Sequence, residues 1–402
     1  MLISTRTKTL ILNLQYPDSV LTLIPTARAL TYGGQKLVIV PHKQDEVMVL
    51  RNLGINAPPP IEYYYDYPGR HKPFDHQKTT AGFCTVQSKC MVLNEIGTGK
   101  TLAVLWADDY LRRIGKSKRT LIVSPLSTLE RVWGDALFTT FPRRTFGVLH
   151  GSSEKRKKLL SIDYDYYIIN HDGIGVVYQE LLDKNFDTII IDEAAVLRNP
   201  STKRFKLVRG LVSAKSVRRI WLLTGTPTPN EPTDAWALAK LLKPTDPMQA
   251  YHAFRDKVMM KVGMWKWVPR PESTDVVYQI LQPSIRYTRD ECMDLPPTII
   301  QTRRCELTDE QRNAYANMVK HLHTELKSGA ITAVNEAGKM LKLVQIVCGV
   351  AYDAQGNSVL LDCHPRVSLT KEIIAEAGQK VIVFVPLTGT LRMLQQELSK
   401  HW

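Results

Sequence analysis

The 402-residue sequence predicts an α/β fold of parallel sheets wrapped by helices, with a small α/β module ahead of the main sheet. Two observations predict it. Five short apolar, β-rich runs (CMVLN, TLIVSP, YYIIN, TIIID and IWLLT) succeed one another from residue 90, separated by helical stretches. The length and the 44% apolar content suffice for two or three domains with real cores.

In chain order, residues 1–66 hold two strand-like runs, TKTLILNL and QKLVIV, each followed by an amphipathic helical stretch. A Pro-rich break at residues 57–61 closes this accessory module. Residues 67–245 carry the five apolar runs. Residues 246–297 turn basic, aromatic and Met-containing (FRDKVMMKVGMWKWVPRP) and predict an insertion followed by a bridge. A second α/β run over 298–402 predicts a helix over 308–328, a buried strand at KVIVFVP and a final helix.

Composition narrows the partners. Lysine and arginine number 53 against 39 acidic residues, and a net charge of +14 favours a polyanion: nucleic acid first, acidic membrane second. No run approaches the roughly 18 apolar residues of a membrane span, and the opening MLISTRTKTLILNL lacks a signal peptide's cleavage region, so a cytoplasmic protein is expected. The six cysteines form no CxxC pair and have no flanking His at zinc spacing, which argues against a metal cluster and suits a reducing compartment.

The strand MVL runs into Asn94-Glu95-Ile96-Gly97-Thr98-Gly99-Lys100-Thr101 and then a helix, the context a P-loop requires. Gly97 and Gly99 let backbone N–H groups close on phosphate oxygens, with Glu95 and Thr98 completing the loop. Lys100 supplies a positive charge to the β- and γ-phosphates of ATP, and Thr101 a hydroxyl to Mg2+. Asn94 stands where the general pattern has Gly. About 90 residues on, a strand ends at Asp192-Glu193, with both carboxylates at the sheet edge where α/β ligands bind. Asp192 would hold Mg2+, and Glu193 would orient and deprotonate the attacking water. Without a P-loop the pair would read as a helix cap.

Asp192-Glu193-Ala194-Ala195 resembles the DEAH-type box of superfamily 2 helicases and translocases, with Ala195 where His is usual. Leu223-Thr224-Gly225-Thr226-Pro227-Thr228-Pro229-Asn230 resembles the corresponding stretch of SWI/SNF-type members, and residues 282–289 their bridge between motor lobes. The resemblance implies tandem RecA-like lobes, the second partial. It implies that Thr224 and Thr226 sense the γ-phosphate, and that Phe74 and Gln77, in a Pro73-Phe74-Asp75-His76-Gln77 segment, contact adenine. It also implies DNA contacts at Pro125 and Ser127, and at Asn170 and His171, phosphate contacts that carry no sequence preference. His171 reads equally as a capping or core-edge histidine. Trp265, Lys266 and Trp267 interleave cations with aromatics, which suits phosphates and base faces, or equally the insertion's own small core.

The implied function is an ATP-dependent motor on duplex, forked or branched DNA, nearest to bacteriophage or bacterial helicases of recombination and repair. An RNA helicase, or a nucleotide-gated DNA-binding adaptor with little turnover, are the alternatives. In the family a second-lobe arginine completes the γ-phosphate site. No residue after Leu391 matches that motif, so weak turnover by this chain alone is expected.

Overall fold

The computed structural model describes residues 1–264, 266–292, 294, 296, 298–326, 329–332 and 336–401. The chain falls into two compact units, Met1–Leu295 and Pro296–Trp402. The first unit opens with a four-stranded antiparallel sheet of order β1-β2-β4-β3, formed by β1 (Leu2–Ser4), β2 (Thr9–Asn13), β3 (Arg28–Tyr32) and β4 (Gln35–Pro41). The strand-like run TKTLILNL contains β2, and β1 ahead of it adds a hairpin partner. Leu10 pairs with Val40 and Leu12 with Val38, so these four buried apolar side chains share one face of the sheet. Val47 and Leu50 from the helix Gln44–Asn52 and Val86 from the helix Asp75–Val86 complete that core. Gln44 Nε2 donates to Thr85 O at 2.8 Å and ties the module to the larger part of the unit.

The main sheet takes β5 (Lys89–Val92), β6 (Thr120–Ser124), β7 (Phe146–Val148), β8 (Tyr166–Asn170), β9 (Thr188–Ile191) and β10 (Arg219–Leu223). After them β11 (Met259–Lys261) and β12 (Trp267–Pro269) form a separate antiparallel hairpin. The short strand β13 (Ser284–Ile285) then returns to the edge of the main sheet, giving the order β13-β5-β10-β9-β6-β8-β7. All its pairings are parallel. The continuous apolar runs have a simple cause: both faces are covered. Met91, Val123, Ile169, Ile191 and Leu222 join one core, while Val92, Ile122, Ile168, Ile190 and Trp221 join the other. Each such fully buried side chain contributes roughly 1.5–3 kcal/mol. Phe254, Val258 and Met259, at the start of the basic and aromatic segment, pack into the first of these cores.

The second unit packs the helices Asp309–His321 and Glu336–Val347 with two antiparallel hairpins. These are β14 (His323–Leu326) with β15 (Gly329–Thr332), and β16 (Val350–Tyr352) with β17 (Ser358–Leu360). Ala314, Met318, Ile346, Ala351 and Val359 form its core. Two expectations are corrected here. The helix expected over 308–328 stops at His321, because Leu322 takes a left-handed conformation (φ 55°) and β14 follows. The strand expected at KVIVFVP is not formed: Ile382 and Phe384 are 79% and 89% exposed. An apolar run becomes a buried strand only where neighbours offer a ladder, and the strands described in this unit pair off as hairpins. No helix among the described residues is long and apolar enough to cross a membrane.

Candidate nucleotide site

The site assembles where β5, β9 and β10 end and their loops begin. Val92 leads through Leu93 into residues 94–99, where Gly97 (φ 91°) and Gly99 (φ 77°) hold left-handed conformations open mainly to glycine. At Gly99 a Cβ would also lie 2.1 Å from Gln77 Nε2. The helix Lys100–Arg113 starts directly after it, so the loop ends on a helix N-terminus whose first N–H groups lack intrahelical partners. Lys100 Nζ donates to Asn94 O at 2.7 Å and Glu95 O at 3.0 Å, laying the ammonium across the loop. Burial lowers the Lys100 pKa, against the pull of the Asp192, Glu193 and Glu95 carboxylates. Asn94 finds its reason in packing: buried, it donates from Nδ2 to Thr80 Oγ1 at 2.9 Å and pins the loop to the helix Asp75–Val86. Thr98 is buried, with its hydroxyl on Glu95 O at 2.8 Å. Thr101 lines a 420 Å³ cleft with Gly69, His71 and the two guanidinium side chains of Arg70 and Arg131, which the sequence had not singled out.

Asp192 follows β9 and is held on both oxygens. Oδ1 accepts the Glu193 N–H at 3.0 Å and Oδ2 accepts the Trp133 indole N–H at 2.9 Å. Burial raises its pKa, opposed by those two donors and by Lys100. Glu193 is a non-glycine residue at φ 49°, ψ 50°, a strained conformation of the kind stored at working sites. From β10, Thr224 donates to Glu193 Oε1 at 3.4 Å and accepts the Thr226 N–H at 3.2 Å. Gly225 sits close enough to the first loop that a Cβ there would touch Asn94 O and Ile96 N at 3.5 Å. Lys100, Asp192, Glu193 and Thr224 are thus one electrostatic and hydrogen-bonded group. Thr226 itself is exposed.

Gln77 is near this group but engaged within the chain: Oε1 accepts Phe74 N at 3.1 Å and Nε2 donates to Thr98 O at 3.2 Å. Phe74 is exposed and stacked on the His76 ring at 5.7 Å. Residues 125 and 127 lie on the loop after β6, Pro125 half-buried and Ser127 exposed, next to a π-helical turn, Leu129–Gly134. Asn170 accepts Arg156 Nη1 at 3.4 Å. His171 is buried, and burial together with Arg204 drives its pKa down to about 4, so it is neutral near pH 7 and offers phosphates no charge. Trp265 lies outside the described residues. Lys266 is exposed, whereas Trp267 is half-buried, packed on the main core with the Arg255 guanidinium 4.1 Å above its ring.

Two features escaped the sequence reading. One is the partnership of Trp133 with Asp192. The other is the course of the bridge expected at residues 282–289: its residues 283–289 form a strap that continues the pairing of β13 along β5 into the loop, Leu93 N donating to Ile285 O at 2.8 Å and Glu95 N to Tyr287 O at 2.9 Å. Arg289 N then donates to Glu95 Oε2 at 3.1 Å. Only their partners, far away in sequence, give these residues meaning.

A parallel sheet whose strand opens into a glycine loop ending on lysine, with paired carboxylates at the same edge, defines the P-loop class of nucleotide-binding lobe. The sequence matches the SNF2-related domain over residues 44–348, and the chain belongs to that family. It is 27% identical over 303 residues to "Putative protein p41" of Acyrthosiphon pisum secondary endosymbiont phage 1, covering 70% of this chain and 65% of that protein. It is 24% identical over 287 residues to the "Probable global transactivator" of Orgyia pseudotsugata multicapsid polyhedrosis virus, covering 69% of this chain and 52% of that one. The chain therefore spans between half and two thirds of these relatives. Its fold matches the Sulfolobus solfataricus SWI2/SNF2 ATPase core solved in complex with dsDNA, at a TM-score of 0.50 and 24% identity, over 83% of this chain and 71% of that one.

Proposed function

We propose that this chain is the ATP-binding and hydrolysing part of a DNA translocase that remodels duplex, forked or branched DNA. The observation that carries the reading is the convergence of Lys100, Asp192, Glu193 and Thr224 on one sheet edge, within a chain of SNF2-related type. The glycine loop and Lys100 bind the phosphates of ATP. Thr101 and Asp192 hold Mg2+; two oxygens suffice, because this ion is commonly shared between one or two protein groups, the phosphates and water. When bound, Mg2+ neutralises the charge that develops on the phosphates. Glu193, held in place by the Thr224 hydroxyl, orients the attacking water and takes its proton. Thr224 and Thr226 connect that carboxylate with the neighbouring loop, a route by which the state of the γ-phosphate reaches the DNA side. Phe74 and Gln77 meet the base, Gln77 exchanging Thr98 O for adenine.

DNA contacts fall to Pro125, Ser127 and Asn170, with Lys266 adding charge; His171 serves the packing between their loops, and Trp265 and Trp267 flank Lys266. The likeness to a core solved with dsDNA and the net charge of +14 both support a DNA partner. Glu193→Gln keeps the shape of the side chain and removes the base. It should bind ATP with near-wild-type affinity and lose about 10²-fold or more in turnover. ATPase assays with duplex, single-stranded and forked DNA and with RNA are the test. Stimulation by RNA alone, or full turnover in Glu193→Gln, would overturn the reading.

A further inference from the structure

We propose that Trp133 is a positioning residue for the metal-holding carboxylate of Asp192, and that it links this carboxylate to the DNA-side loop after β6. The proposal rests on the nucleotide and DNA readings above. Its basis is a single contact in an unusual setting.

The Trp133 indole is fully buried, and its N–H donates to Asp192 Oδ2 at 2.9 Å. A buried indole needs an acceptor, and any carbonyl would serve. Trp106, Trp221 and Trp236 use the backbone oxygens of Pro68, Gln87 and Gln249. Among the described tryptophans with a hydrogen bond, Trp133 is the one that spends it on a carboxylate. The bond is charge-assisted and therefore stronger than the others. With Glu193 N–H on Oδ1, it fixes the plane of the carboxylate and leaves lone-pair capacity on each oxygen for an ion or its water. A group that orients a metal ligand in this way controls the affinity of the site without touching the metal.

The second observation is where Trp133 comes from. It lies in the π-helical turn Leu129–Gly134, one turn past the loop at residues 125–128 that follows β6. A π-helical turn holds one residue more than an α-helical one, is rare, and is found disproportionately at functional positions. The loop itself is braced by Thr128, whose N–H and hydroxyl both donate to Pro125 O, at 3.1 and 3.0 Å. The loop expected to meet a DNA backbone is thus one short turn away from Trp133, and Trp133 is one hydrogen bond away from Asp192.

Trp133→Phe retains an aromatic ring and deletes the donor. Because a buried indole also fills space, a second form of the full chain carries benzothienylalanine at 133, which keeps the bicyclic shape and replaces N–H with sulfur. Fluorescent ATP-analogue binding is titrated with and without Mg2+, and ATPase kcat and KM are measured with and without duplex DNA. Both forms should bind Mg2+-free nucleotide as the wild type does, lose roughly tenfold of the tightening that Mg2+ confers, and lose most of the DNA stimulation of kcat. If the benzothienylalanine form keeps the wild-type response to Mg2+ and to DNA, the proposal is overturned while the nucleotide site stands. A wild-type chain whose nucleotide affinity ignores Mg2+ would overturn both. A loss seen in the Phe variant and absent from the benzothienylalanine form would assign Trp133 to packing alone and equally refute the positioning role.

Discussion

At the scale of single residues, His171 shows how placement overrides chemical type. On a surface loop an imidazole with a pKa near 6.5 is a ready phosphate partner. Here it is buried beside Asp192 and the end of β6 at Ser124, and burial together with the nearby Arg204 guanidinium drives its pKa down to about 4. The folded state keeps it neutral, whereas the unfolded chain protonates it near 6.5. Its contribution to stability is complete above 6.5 and is lost as pH falls through 4. Near pH 5 the loss from this one group is about 2 kcal/mol. Urea unfolding followed by tryptophan fluorescence at pH 7 and pH 5 should register that loss in the wild type, and His171→Gln should abolish most of it. An unchanged pH dependence in the variant would deny the burial effect. Glu193 makes the same point through its backbone: a left-handed glutamate is unfavourable alone and is tolerated because β9, Thr224 and the following turn hold it.

At the scale of elements, the helix Lys100–Arg113 joins the site to the frame. Its first residue crosses the glycine loop, and its other end is anchored by a buried ionic network. Asp108 is fully buried and accepts from Arg112 at 3.3 Å, Ser117 at 2.7 Å and Thr120 at 3.0 Å. Asp109, also buried, takes Arg113 at 2.8 Å, Arg144 at 2.6 Å and the Tyr65 hydroxyl at 2.7 Å. Burial, and after it the Asp109 carboxylate, raise the Tyr65 pKa far above its usual value. Removing Asp108 takes the fully buried partner from Arg112, which keeps only the part-exposed Asp165 at 3.1 Å, and the carboxylate acceptor from Thr120, so Asp108→Ala should cost about 3 kcal/mol in urea unfolding. A cost below about 1 kcal/mol would mean that water replaces the carboxylate. The five apolar runs were legible as strands because both faces are buried and no alternation is needed. β7 and β13 were not, being two or three residues long and meaningful only beside β8 and β5.

At the scale of the molecule, the net charge of +14 is the property most open to direct measurement. If DNA is held mainly through phosphates, its affinity must fall steeply with salt, by about 10³-fold or more from 50 to 200 mM for six or more contacts. A shallow salt dependence in duplex binding would point away from a backbone-tracking motor. The sequence by itself determined the parallel sheet, the glycine loop, the paired carboxylates and the SNF2-related type, because each is encoded in neighbouring residues whose spacing a strand, a tight turn or a helix start dictates. Tertiary structure alone decided the rest. It directed the Gln77 amide to Thr98, buried His171 as a neutral ring, gave the Asp192 carboxylate its Trp133 partner and laid the strap at residues 283–289 along the loop. It also left the KVIVFVP run exposed and unpaired. All of these depend on which distant segment arrives alongside, and a hydrogen bond or a strand ladder has no existence until its partner is there.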